Sequence, residues 1–285
     1  MDKANWSRLP GRGVVAVDGA EARHFLQNLV TNNVDGLESG DACYAALLSP
    51  QGKILFDFIL FAIADGFLID VSRRATSDLV GRLTLYRLRA NIRIVDRSEE
   101  LEVRVMWGTE NLPPGFVADP RLPDLGFRQI VASGSKPLEA GVEAKAHIYA
   151  AHRVALGVPE GGSDFAFGDA FPHDANIDQL HGVDFSKGCF VGQEVVSRMQ
   201  HRGTSRRRIV LVDGEGLSAD TEISDGDIPI GAIRSVGGGV ALAMVRIDRA
   251  AQAIAAGRPL SADGAAIELR VPAWASFELS SPVES

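Results

Sequence analysis

The stretch from Asp184 to Gly203, DFSKGCFVGQEVVSRMQHRG, gathers residues able to do chemistry. Cys189 follows Lys187 and Gly188. A thiol close to an ammonium ionises more readily than a buried one, and Gly188 and Gly192 make a loop that can expose it. The plainer alternative is a small buried hydrophobe, the usual fate of a free cysteine. Lys187 and the two glycines favour a functional thiol or backbone anchor. Gln193 and Glu194 read as the first turn of a helix running to Met199, where a glutamate suits the helix N-terminus. Arg198 and Arg202 follow, then Arg206, Arg207 and Arg208. Guanidinium forks match carboxylates and phosphates, so this run is either an anion clamp or a solvated strand entrance.

Asp57 is a second candidate. It stands in ILFDFIL, where a carboxylate must be paired, face a cavity or point to solvent. The period of two in a strand puts Leu55, Asp57 and Ile59 on one face.

Cys43 and Cys189 are the only cysteines of the 285 residues and lie 146 positions apart. Zinc and iron–sulfur sites usually need four ligands, so no stably bound metal is expected from this chain alone, and any cluster would be shared or transient. The absence of a disulfide framework suits a reducing cytoplasm. The N-terminus has no apolar signal core, and no run approaches the length of a membrane span. Formal charge is −8, which argues against general nucleic-acid binding. From His181 to Val210 the balance is +4, leaving −12 on the remainder. A basic patch on an acidic protein points to a specific anionic partner.

Val14 to Val17 reads as a strand, with Asp18 and Glu21 as a capping box for a helix through Val30. Tyr44 to Leu48, Ile54 to Ile63 and Phe67 to Val71 read as strands joined by turns at 49–52 and 65–66. Ser77 to Arg89 is predicted helical, and Asn91 to Val95 and Leu101 to Met106 extended. Residues 108–126, rich in Pro, Gly and Asp, read as a loop or disordered excursion. Glu143 to Ala155 is predicted helical. Beyond residue 205, short strands alternate with Gly/Asp turns, the texture of a small β-barrel.

The string KGCFVGQE at 187–194 resembles the signature of the YgfZ-type folate-binding proteins, relatives of the aminomethyltransferase (T-protein) of the glycine cleavage system. FLQNLVTNNV at 25–34, YAALLSPQGKILFDFIL at 44–60, LYRLRANIRIVD at 85–96 and the whole of 171–203 resemble the same family. The resemblance implies an α+β fold with three modules in a ring around a central cavity. The modules would be 1–46 with 138–204, 47–137, and a C-terminal antiparallel β-barrel over 205–285. It implies tetrahydrofolate or a derivative as cofactor, with Asp57, Thr31, Asn32, Gln193, Glu194, Arg198 and Arg202 as binding residues. Cys189, Lys187 and Asp57 would carry any catalysis.

The function implied is a cytoplasmic accessory factor for iron–sulfur cluster assembly or repair. Its partners would be the assembly machinery or client iron–sulfur proteins, with tRNA affected only indirectly and no membrane. An aminomethyl or one-carbon transferase is the alternative reading, and an RNA-binding module the second. Asp57 falls on the catalytic aspartate of the transferase. Ile69 stands where that enzyme has a tyrosine, and Ala155 stands near the position of its pterin-anchoring glutamate, which weakens the transferase reading.

Overall fold

The computed structural model describes residues 4–203 and 205–279. These fall into two units: residues up to Tyr149 together with 180–193, and residues 150–179 together with 194 onward.

The first unit begins with β1 (Asn5–Arg8), β2 (Arg12–Asp18), α1 (Ala22–Gln27), β3 (Ala42–Leu48), β4 (Ile54–Ile63) and β5 (Gly66–Ser72). It continues through α2 (Thr76–Arg87), β6 (Arg93–Asp96), β7 (Leu101–Trp107), β8 (Val117–Ala118), β9 (Phe127–Ala132) and β10 (Val142–Glu143). One sheet runs β3-β4-β5-β2-β6 and the other β10-β1-β7-β9-β8. The long central strands are near-continuous runs of Val, Ile, Leu and Phe because they are buried, as Val14, Leu47, Leu60 and Ile69 are. The hairpin between β4 and β5 turns at Asp65–Gly66, and Gly66 adopts φ +153. A Cβ there would sit 2.2 Å from the Val17 carbonyl oxygen, so glycine is required. Helix α2 buries Thr76, Leu79 and Leu83 and packs over β2 and β6.

Helix α3 (Ala146–Ala155) leads into the second unit, as does α4 (Gln193–Arg202). There, β11 (Arg207–Gly214), β12 (Glu222–Asp225), β13 (Ile228–Gly237), β14 (Val240–Arg246), β15 (Leu260–Ala262) and β16 (Ala265–Arg270) close a six-stranded barrel. Neighbouring strands are antiparallel, and α5 (Ile247–Ala255) joins β14 to β15. Val210, Val212, Ile223, Ile230, Ile233 and Val245 fill the barrel core. The α+β class and the terminal barrel expected from sequence are both present.

Two local expectations do not hold. Asp18 and Glu21 form no capping box: α1 starts without a side-chain cap. Asp18 instead pairs with Arg93, and Glu21 accepts the Asn91 amide at 2.5 Å. Both carboxylates find donors on the segment that leads into β6, and these compete with the helix amides. Residues 108–126 are not a disordered excursion. They contain β8 and a short 3₁₀ turn at Pro123–Leu125, and they send two charged side chains inward.

Candidate functional site

Pairing in the first sheet sets Ala46 opposite Asp57, Tyr44 opposite Ile59, and Asp70 opposite both Ile59 and Val14. Paired residues share a face and the strand period is two, so Arg12, Tyr44, Asp57 and Asp70 all lie on one face. The Tyr44 hydroxyl donates to Asp57 Oδ2 at 3.0 Å. Asp57 is 3% exposed. Burial, and then the adjoining Asp57 carboxylate, push the Tyr44 phenol well above its usual range, so it remains a proton donor.

From this face an ion-pair chain crosses to the second sheet. Arg12 reaches Asp70 at 2.6 Å, and Arg128 of β9 reaches Asp70 at 2.5 Å and Asp119 at 2.8 Å. Arg121 closes a fork on Asp119 at 2.9 and 2.7 Å. Its guanidinium lies 5.8 Å from the Tyr44 ring, and that of Arg128 lies 6.0 Å from the Tyr149 ring. Three carboxylates and three guanidiniums are thus gathered in a water-poor space, where charges persist only when paired. Burial pushes the Asp119 carboxyl up, but Arg121 and Arg128 more than reverse this and hold it well below the usual range.

Asp57 was legible as a charge in an apolar strand. Asp70 in GFLIDVS and Arg128 in FRQIV carry the same signal, a single charge in an apolar strand. Tyr44 supplies Asp57 with the phenol that Ile69 lacks, from the strand on the other side.

The KGC loop is fastened at three places. The Lys187 ammonium donates to the carbonyls of Gln27, Val30 and Asn32 at 2.8, 2.7 and 2.8 Å, gripping the end of α1. Burial pushes it down to about 8, while the charge of Asp184 holds it up. Asp184 Oδ1 takes the amides of Ser186 and Lys187, forming the turn that leads into the lysine. Gly192 closes the loop at φ +82, where a Cβ would meet the Ser49 carbonyl oxygen at 2.6 Å.

Thr31 and Asn32 serve the same frame. Thr31 Oγ1 donates to the Gly182 carbonyl and accepts the Ala46 amide. Asn32 Nδ2 donates to the carbonyls of Tyr44 and His181. The structure therefore ties Lys187 to the Asn32 carbonyl and Thr31 to the segment before the KGC loop at Gly182, and Asp57 lies opposite Ala46, whose amide Thr31 accepts.

Cys189 itself is exposed, and Cys43 is buried. Burial pushes the Cys43 thiol up to about 12, with Lys187 pulling the other way. Iodoacetamide at about pH 8 should alkylate Cys189 and spare Cys43 in the folded protein. Equal modification of the two, read by peptide mass, would contradict this assignment. Among the described residues, no cluster of three or more His, Cys, Asp or Glu could hold a metal ion.

Gln193 and Glu194 open α4, as the sequence implied, and Arg198 and Arg202 are exposed along it. The three-arginine run is not a free clamp. Arg207 pairs with Asp169 and Asp174, and Arg208 forks onto Asp178. Arg208 is 7% exposed, and a buried guanidinium needs such a carboxylate. Among the described residues, Arg198, Arg202 and Arg206 form no ion pair with a carboxylate. No helix of the described residues is long and apolar enough to cross a membrane.

Comparison with known proteins bears on both units. Residues 11–110 match the family described as the GCVT N-terminal domain, and residues 206–277 match the CAF17 C-terminal beta-barrel domain. The glycine cleavage system aminomethyltransferase T from Bartonella henselae superposes with TM-score 0.74 at 16% identity. The match covers 96% of this chain and 87% of that one, and shows a shared fold. An iron-sulfur cluster assembly factor IBA57 homolog, mitochondrial, of Mycosarcoma maydis is 35% identical over 225 residues, covering 72% of this chain and 56% of its own. The mouse iron-sulfur cluster assembly factor IBA57, mitochondrial, is 30% identical over 283 residues, covering 86% and 79%.

The chain spans little more than half the length of the fungal relatives. The expectation of a cytoplasmic protein is overturned by these relatives, which are mitochondrial by name. With 30% identity over four-fifths of the mouse protein, this chain belongs to the family of the iron-sulfur cluster assembly factor IBA57.

Proposed function

We propose that this protein is an accessory factor for iron–sulfur cluster assembly that binds a folate and offers one thiolate to a cluster shared with a partner. The observation that carries the reading is Cys189: an exposed thiol on a loop anchored by Lys187, Asp184 and Gly192. Iron–sulfur clusters are held by cysteine thiolates, usually four. One fixed, accessible thiol suits transient, shared ligation rather than storage. Lys187 is a positioning residue in this account, because its donors are taken up by main-chain carbonyls. The names of the relatives, which are assembly factors, support the same role.

The GCVT-type domain supports folate as the ligand. A pterin presents adjacent N–H donors along one edge, and a carboxylate suits them. Asp57, oriented by Tyr44, is the group proposed to take that edge. Fluorescence titration with tetrahydrofolate should give saturable binding. Asp57→Asn should weaken it roughly 10–100-fold, the worth of a charge-assisted hydrogen bond. Unchanged affinity would remove Asp57 from the folate site.

The assembly role is tested separately. Expression in a host lacking its own factor of this family should restore the activity of iron–sulfur enzymes, and no restoration contradicts it. A tRNA-binding reading gains nothing from the basic run, since Arg207 and Arg208 are neutralised within the protein.

A further inference from the structure

Helix α2 buries one face and leaves the other in an unusual state. Leu85 is 71% exposed and Leu88 is 87% exposed, the two most exposed large hydrophobic residues among the described residues. Gly81, one turn before Leu85, is also exposed, and a Cβ added there would meet nothing within 4 Å. A mid-helix glycine costs stability, and no close neighbour in this structure requires it. Gly81 and Leu85 share a face at i,i+4, and Leu88 continues the stripe where the helix ends. Leu88 holds φ +48, a backbone region that leucine rarely adopts and that tends to be retained at functional positions.

The stripe is bordered by Arg82, Arg87 and Arg89. All three are exposed, and none forms an ion pair among the described residues. Asp78, one turn before Arg82, forms none either. Open guanidiniums around bare leucines, on a protein of formal charge −8, mark a surface with its own partner.

We propose that the exposed face of α2, from Gly81 to Arg89, docks an acidic segment of a partner protein. Apolar side chains of that segment would cover Leu85 and Leu88. The bare backbone at Gly81 would let the partner approach closely, and the three arginines would meet its carboxylates. A protein partner is favoured over an anionic membrane. The opposite face of α2 is committed to Leu79 and Leu83, so the helix cannot sink into a bilayer, and two leucines without an aromatic anchor are a weak membrane footing. The proposal goes beyond the thiol and folate roles and concerns different residues, so it can fail without them.

The test uses the whole chain and two fluorescent helical peptides of about 15 residues. One carries Glu, Ala and a stripe of Leu. The other has the same charge with Ala in place of Leu. Anisotropy should show the leucine peptide binding at least about tenfold more tightly, a difference of about 1.4 kcal/mol. Leu85→Ser with Leu88→Ser, or Gly81→Gln, should abolish that preference. Gln at Arg82, Arg87 and Arg89 together should remove its salt dependence.

None of these positions is buried, so the leucine and arginine variants should melt like the parent, and Gly81→Gln, which gains helix propensity, no lower. Gly81→Ala should melt a few degrees higher. Equal binding of the two peptides, binding to neither, or unchanged binding by the variants overturns the proposal. So does binding of phosphatidylserine vesicles in preference to the acidic peptide. Self-association of the protein that Leu88→Ser abolishes would likewise overturn it.

Discussion

Replacing Asp119 with alanine should destabilise the first unit by about 3–5 kcal/mol, the cost of breaking a buried ion pair from one side. Asp119 is 3% exposed and is held by both Arg121 and Arg128. Without it, Arg121 loses both of its carboxylate contacts, and Arg128 keeps only Asp70. Water cannot readily replace the missing charge at residues only 4% and 2% exposed. Tyr44 packs beside Arg121, so the disturbance should reach Asp57 and weaken the proposed binding of tetrahydrofolate as well.

The same pairing fixes a pH dependence. The Asp119 carboxyl titrates lower in the folded chain than in the unfolded one. Its contribution is therefore complete above the ordinary carboxylate range and is lost as pH falls below about 4. Urea denaturation of the parent and of Asp119→Ala at neutral pH and at about pH 3 checks both statements. The gap between the two proteins should shrink in acid. A neutral-pH difference under about 1 kcal/mol would mean that the network is relaxed or hydrated.

Much of this was legible in the residues, for reasons that differ by element. The strands of the first sheet announced themselves because both faces are covered, which leaves uninterrupted apolar runs bounded by Ser-Pro-Gln-Gly and Asp-Gly. The barrel was legible from its turns. KGCFVGQE marked the family because a buried lysine, an exposed cysteine and a positive-φ glycine must keep that spacing to hold the loop.

What stayed hidden was long-range pairing. Asp119 and Arg121 pair with each other, but nothing local in residues 108–126 says that the pair turns inward, because what receives it is Arg128 on β9 and the Tyr44 ring on β3. The charged run at 206–208 misled for the same reason: its counter-ions lie some thirty residues earlier, at Asp169, Asp174 and Asp178. A thiol's compartment is set by targeting rather than by its own chemistry, so cysteine count could not select it.

Cys189→Ala should cost almost nothing in stability and nearly all of the function. The side chain is exposed, and its neighbour Gly188 has open space around it, so truncation removes little packing and should shift stability by no more than about 0.5 kcal/mol. Losing the thiolate ligand proposed here should cost more than the roughly 10–100-fold typical of losing an outer-shell partner of a metal site. Serine at the same position keeps the size and polarity but supplies no thiolate, so it should fail equally. Buried Cys43, with its thiol held protonated, cannot substitute.

The most direct measurement is iron–sulfur enzyme activity in a host lacking its own factor of this family, supplied with the parent chain, Cys189→Ala or Cys189→Ser at matched levels. Restoration by the parent and failure of both variants, with unchanged melting curves, is the predicted result. Full restoration by Cys189→Ala would contradict the account, because the anchored loop would then present no thiol that assembly requires.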